Sequence, residues 1–162
     1  ALYVSERDFR WVDLGSARDY WSATQFLLAS ALDLAPPPGR EVRPGLFVGA
    51  NVSLDLSRVS VSGPVVIGAS SRIEPGARIV GPSVIGMGAS VGGDVTLVRS
   101  IVTERTRVAL APIDEAIYTP HHIVTNRGKV IPQPALSGVP LVADRRDPAF
   151  ATGMVRVFPA TA

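Results

Sequence analysis

The stretch VVIGASSRIEPGARIVGPSVIGMGASVGGDVTLVRSIV, residues 65–102, decides the fold. Within it Ile67, Ile73, Ile79, Ile85, Val91 and Leu97 recur every six residues without a slip. The ladder runs back through Val61, Leu54 and Val48, with one extra residue between Leu54 and Val61, and so makes nine hexads. An amphipathic helix repeats every 3.6 residues and a half-buried strand every two, so neither produces a strict period of six over this length. A repeat architecture does.

The residues between the aliphatic positions say how each repeat bends. Three positions after each aliphatic residue stand Asn51, Ser57, Pro64, Ser70, Gly76, Pro82, Gly88, Asp94 and Ser100, all turn formers. One position later come Val52, Arg58, Val65, Ser71, Ala77, Ser83, Ala89, Val95 and Ile101, small or β-branched except for Arg58 and suited to a tight corner. Short strand, corner and short strand in sequence is the pattern of a β-solenoid. Inward residues of successive coils stack, which buries a continuous core and leaves two open ends. Those ends must be capped or paired, because an unpaired edge recruits other chains.

This register resembles the hexapeptide-repeat family, whose fold is a left-handed parallel β-helix with three hexads in each triangular coil. The resemblance implies about three coils over residues 48–102. The flanks divide accordingly: 1–34 is a helical piece, 35–47 a proline-rich connector containing PPPGREVRPG, and 103–162 a C-terminal cap, hairpin and arm. After Val102 the hexad fails at Thr103, Ala109 and Glu115. Asn126-Arg127-Gly128 between two β-rich runs reads as a hairpin turn. From Pro132 the chain is interrupted by proline and reads as an extended arm lying on another surface.

Composition excludes several function classes. With no cysteine among its 162 residues the chain has no disulfide, zinc-thiolate site or cysteine nucleophile. Sixteen basic side chains, of which Lys129 is the one lysine, nearly balance fourteen acidic ones. Arg105 with Arg107, and Arg145 with Arg146, are pairs rather than a stripe, so no nucleic-acid partner is expected. No apolar run reaches the ~20 residues of a membrane span, and ALYVSERDFR lacks the order of a signal peptide, so a cytoplasmic protein away from the membrane is expected.

The N-terminal piece WVDLGSARDYWSATQFLLAS, residues 11–30, begins with a capping signal. Ser16 followed by Asp19 is close to a capping box, with the acid at the positive helix end. It predicts a helix from Ala17 to about Leu32, with Tyr20, Ala23, Leu27 and Ala31 at the spacing of one packing face. The cap does not need Trp11, Asp13 and Gly15 as a set. Together Trp11, Asp13, Leu14, Gly15, Ser16 and Tyr20 resemble the W-x-D-[IL]-G-[ST]-x-x-x-[YF] segment that ends the α/β catalytic domain of sugar-1-phosphate nucleotidyltransferases. In many members a helix, a linker and a left-handed β-helix follow in that order.

The resemblance implies the C-terminal part of an enzyme that converts a nucleoside triphosphate and a sugar 1-phosphate into a nucleotide-sugar and pyrophosphate. The mannose-1-phosphate guanylyltransferase branch, which forms GDP-mannose, is the most similar. It further implies that Asp13 is a ligand of Mg²⁺, sharing the ion with a carboxylate from far upstream; the plain alternative for Asp13 is a carboxylate that favours the helix start. The family's glycine-rich G-x-G-x-R-x-x-P-L-T loop has no match here, so no catalytic residue and no nucleotide-binding residue is expected within this chain, which alone should be inactive. The glycines of IGMGASVGGD fall in hexad register at corners and do not replace that loop. Base and sugar selectivity would lie outside this stretch, whose own role would be self-association into a homo-oligomer and regulation.

Two other readings share the solenoid. Hexapeptide-repeat acyltransferases use a histidine base in or beside their coils, yet His121 and His122 are the first histidines here and follow Pro120 outside the regular hexads. A non-catalytic β-helix scaffold subunit is the other.

Overall fold

A computed structural model describes residues 3–6, 11–30, 32 and 37–132. The expected arm beyond Pro132 lies outside the described residues, as does Ala31 of the expected helix face.

Helix α1 spans Ala17–Ser30, and Leu32, the expected end, lies in a turn. Strand β1 (Arg40–Arg43), inside the stretch read as a connector, turns at Pro44-Gly45 and pairs antiparallel with β2 (Leu46–Val48). The coils then begin. The first continues from β2 through a bridge at Ser53 to β3 (Ser60–Ser62). The second comprises β4 (Val65–Ile67), β5 (Arg72–Ile73) and β6 (Arg78–Val80). The third comprises β7 (Ser83–Ile85), β8 (Ser90–Val91) and β9 (Thr96–Val98). A fourth follows with β10 (Ile101–Val102) and β11 (Arg107–Val108), and β12 (Ala116–Tyr118) returns to pair parallel with β10. The hairpin of β13 (His122–Thr125) and β14 (Val130–Pro132) turns at Asn126-Arg127-Gly128 as the sequence predicts, with Gly128 at φ +80°.

Three parallel faces result. The long one has the order β1-β2-β4-β7-β10-β12-β13-β14, and the others are β5-β8-β11 and β3-β6-β9. The fold is mainly β, a solenoid with a single short helix among the described residues. The long face shows why its ends stay in register: antiparallel β1 covers one end of the parallel stack and the β13–β14 hairpin the other.

The expectation of about three coils is corrected to about four. Partners along the long face are Leu46 with Val65, Val65 with Ser83, Val84 with Ile101 and Ile101 with Ile117, so the coils shorten from nineteen residues to eighteen, seventeen and sixteen. The extra residue between Leu54 and Val61 makes the first coil long. The third is short because Val80 pairs with Val98 and Val84 with Ile101, leaving two residues, Arg99 and Ser100, where the coil below has three. That deletion moves the inward position from Thr103 to Val102, and Val102 and Val108 are both fully buried. The period continues for one further step, Val102 to Val108, with its phase shifted by one, and is lost before Tyr118, which pairs with Val102.

The core follows the inward positions. Ile67, Ile79, Ile85 and Val91 are fully buried, with Ile73 and Leu97 nearly so. Arg72 and Arg78 point outward. Fully burying an isoleucine contributes about 1.5–3 kcal/mol, so the stack supplies most of the driving force. Corner positions are buried as well, Ser71, Ala77, Ser83 and Ala89 among them. The polar ones are satisfied: Ser83 Oγ donates to the Val80 carbonyl at 2.7 Å and accepts from the Ser100 N–H at 3.0 Å, while Ser71 Oγ donates to the Gly86 carbonyl at 2.8 Å. Backbones of successive coils touch where glycine allows it. A Cβ on Gly68 would lie 2.6 Å from the Met87 nitrogen, and one on Gly86 2.6 Å from the Glu104 nitrogen.

Candidate functional site

The Asp13 segment leads into α1 through a formed cap. The Asp19 N–H donates to Ser16 Oγ at 3.2 Å, and Ser16 Oγ donates to Asp19 Oδ2 at 2.7 Å. The Tyr20 N–H donates to the Ser16 carbonyl at 3.0 Å, closing the first turn. This satisfies one of the orphan N–H groups that every helix start carries. At Gly15 a Cβ would meet Asp19 Oδ2 at 3.9 Å and Asp13 Oδ2 at 4.0 Å, so the two carboxylates flank the same glycine.

Asp13 is exposed and makes no hydrogen bond or ion pair among the described residues. An exposed carboxylate with free oxygens is the donor type that Mg²⁺ takes, usually one or two per site together with substrate phosphates. The residues here therefore fit one ligand of such an ion, Asp13, while Asp19 beside it is engaged by Ser16. They do not make a complete protein site, since no group of three acidic or histidine side chains gathers among the described residues. Around Asp13 the side chains are bare, Trp11 being 73% and Leu14 59% exposed.

The face by which α1 docks differs from the expected one. Tyr20 and Leu27 are exposed, whereas Trp21, Gln25 and Leu28 are buried, a stripe at the same helical spacing turned by one residue. The reason lies on the long face of the solenoid. Val84, Ile101 and Ile117 stand in one row on its outer side, and Trp21 packs against them with Ala17 and Val124. Half-covered aliphatic side chains on the outside of a coil need a lid, and a tryptophan supplies the area.

The docking point is a polar chain as well as an apolar one. Trp21 Nε1–H donates to the Arg99 carbonyl at 2.8 Å, and the Arg99 guanidinium sits 5.6 Å from the centre of the same indole. Arg99 also pairs with Glu115 at 3.4 Å. Glu115 stacks on Arg99 at the same corner one coil later and accepts from Asn126 Nδ2 at 2.7 Å. Arg99 and Glu115 adopt φ of 47° and 54°, in the left-handed region that tight corners require.

Other candidates stay apart from this cluster. His121, in the turn between β12 and β13, and His122, the first residue of β13, are exposed and stand edge to face at 6.5 Å. The glycines of residues 85–94 lie at coil corners, Gly88 at φ +67°, with no helix after them among the described residues. An open recess of about 500 Å³ beside β1 and β2 is lined by Gly39, Arg40, Val42 and Asn51 among others, and includes neither Asp13 nor either histidine. No helix among the described residues is long and apolar enough to cross a membrane.

No protein-family model matches the chain. A UTP–glucose-1-phosphate uridylyltransferase of Synechocystis sp. is 37% identical to it over 107 residues, which is 66% of this chain and 28% of that protein. The chain is thus similar to part of a sugar-1-phosphate nucleotidyltransferase, the class to which Trp11, Asp13, Leu14, Gly15, Ser16 and Tyr20 point. It spans little more than a quarter of that relative's length.

Proposed function

We propose that this chain is the C-terminal part of an enzyme that joins a nucleoside triphosphate to a sugar 1-phosphate. A phosphate oxygen of the sugar 1-phosphate attacks the α-phosphorus of the triphosphate; the nucleotide-sugar forms and pyrophosphate leaves. The observation that carries this reading is the Asp13 segment at the start of a capped helix seated on a solenoid, joined by the likeness to a nucleotidyltransferase. Mg²⁺, held in part by Asp13, would neutralise charge developing on the phosphates. Nucleotide-binding and catalytic residues would come from a preceding domain, and the hexad register supports a left-handed winding of the coils. A reaction that draws on nucleoside triphosphates fits a cytoplasmic protein.

Sequence resemblance favours guanosine and mannose, whereas the relative is named for UTP and glucose 1-phosphate. Residues outside the described coils would read base and sugar, so a substrate panel identifies them. Pyrophosphate and nucleotide-sugar are to be measured for the complete protein with each of the four nucleoside triphosphates, mannose or glucose 1-phosphate, and magnesium. Acetyl-coenzyme A with an amine acceptor is the control for acyl transfer. Acyl transfer without nucleotide-sugar would replace this reading.

The solenoid part would serve self-association. The long face ends at β1 and β14, whose outer edges pair with no strand among the described residues, and Val130 on β14 is 57% exposed. A closed symmetric assembly is the expected form. Light scattering with and without residues 133–162 tests it, a monomeric mass for both forms being the contrary result.

A further inference from the structure

We infer that the corner at Arg99 positions the Asp13 segment for the reaction, with Trp21 and Arg99 as positioning residues; this rests on the function proposed above. Three independent features meet there. The corner is the place where the coil loses a residue relative to the one below. Its carbonyl takes the Trp21 N–H, and its guanidinium lies over the Trp21 ring. Its side chain is in turn held by Glu115, which Asn126 of the hairpin fixes.

The mechanical consequence runs along the helix. Ala17 and Trp21 lie one turn apart; Trp21 clusters with Ile101 and Ile117, and Ala17 packs against that cluster. Ser16, the cap, immediately precedes that contact, and Asp13 is three residues before the cap. A capped helix is a rigid rod, so fixing its first turns fixes the direction in which the Asp13 segment leaves it. The side chains near Asp13 are exposed, so among the described residues the nearest firm anchor is this docking point. A displacement of about 1 Å at a group that orients reacting phosphates can lower the rate by about 10²-fold.

The test uses the complete protein and the variants Trp21→Phe, which keeps an aromatic ring but loses the N–H, and Trp21→Ala, which loses both. Arg78→Ala, on another face of the coils, is the control. Amide hydrogen exchange of the peptide 20–28 is read beside the magnesium dependence of nucleotide-sugar formation. Trp21→Ala should speed exchange in that peptide by about tenfold or more. It should also raise the half-saturating magnesium concentration or lower kcat by about tenfold, with Trp21→Phe between it and the parent. Far-UV circular dichroism should stay that of the parent, because the coils do not need α1 for their own pairing.

Unchanged exchange in Trp21→Ala overturns the anchor. Faster exchange with unchanged magnesium dependence and kcat overturns the positioning role, since docking is then structural alone. Absence of nucleotide-sugar in the parent protein is a failure of the proposed function. It is seen before any variant is made, and the positioning role falls with it while exchange still decides whether the anchor exists.

Discussion

The Trp21 indole N–H and the Arg99 carbonyl meet at 2.8 Å, joining the helix to the coil corner where the hexad loses a residue. Two contacts at this point should differ in weight. Arg99 and Glu115 are 46% and 35% exposed in their side chains, so solvent screens their attraction. Glu115→Gln should therefore cost less than about 0.5 kcal/mol. Trp21→Phe leaves the Arg99 carbonyl without its donor beneath a buried ring and should cost about 1 kcal/mol. Urea unfolding of the two variants reads the difference; a larger loss in Glu115→Gln would mean that the ion pair carries the junction.

The inward register is open to a direct contrast. Ile85 is fully buried between the inward side chains of neighbouring coils, and Ile85→Asp would place an unpaired charge there at a cost of about 4 kcal/mol or more. Arg78 faces outward, and Arg78→Ala should stay within about 0.5 kcal/mol of the parent. Equal losses in a urea melt would contradict the register.

Close approach of the coils makes a second kind of demand. Gly68→Ala puts a methyl group 2.6 Å from the backbone nitrogen of Met87, an atom that cannot move without shifting its coil. A loss of about 2 kcal/mol is expected, as for other overpacked positions. Gly128→Ala tests a different cause: nothing lies within 4 Å of its Cβ, but φ is +80°. Its cost should be about 1 kcal/mol and arise from the backbone alone. A thermal melt that ranks Gly128→Ala above Gly68→Ala would show that the coils have more slack than their geometry indicates.

Tyr118 stands in the inward column above Val102 and gives the fold a sensitivity to alkali. Burial pushes its phenol above the usual value of 10.0, opposed by the hydrogen bond its oxygen accepts from the Ile113 N–H at 3.3 Å. A raised pKa in the folded state means that the protonated phenol is favoured there. Its contribution is therefore complete below pH 10 and lost as pH climbs through the higher folded value. Stability of the parent should fall as pH rises above about 10 more steeply than that of Tyr118→Phe, which at neutral pH should be about 1 kcal/mol less stable. Parallel pH profiles would exclude Tyr118 as the source.

Much of this fold could be read in the sequence because its physics is local and repeated. Ile67, Ile73, Ile79 and Ile85 each report the same inward direction, and the turn formers between them fix the corners. The fourth coil was hidden by a single missing residue at Arg99–Ser100, which moves Val102 and Val108 into the core and makes Thr103 look like an end. The helix existed in the sequence with its cap, but its buried face did not. Tyr20 with Leu27 and Trp21 with Leu28 both have helical spacing, and only the outer row Val84, Ile101 and Ile117 selects between them. That row was a signal in its own right, since apolar side chains on the outside of a coil announce a cover. The sequence marks Asp13 only through a motif of neighbours, and its metal role is the proposal put to the test below. No group of three acidic or histidine side chains gathers about Asp13 among the described residues, so in the function proposed above the partner carboxylate would come from a preceding domain.

Asp13 offers the most direct test of the functional reading. Nucleotide-sugar formation by the complete protein should be followed across a magnesium titration for the parent, Asp13→Asn and Asp19→Asn. The expected result is a magnesium-dependent reaction in the parent and a rate lower by about 10²-fold in Asp13→Asn. High magnesium should partly restore that rate, and circular dichroism should be unchanged. Asp19, held by Ser16, should mainly affect helix stability and leave the magnesium profile close to that of the parent. Coincident profiles for the parent and Asp13→Asn would contradict the metal role and reduce Asp13 to a residue of the helix start; no nucleotide-sugar in the parent with any of the four triphosphates would contradict the function itself.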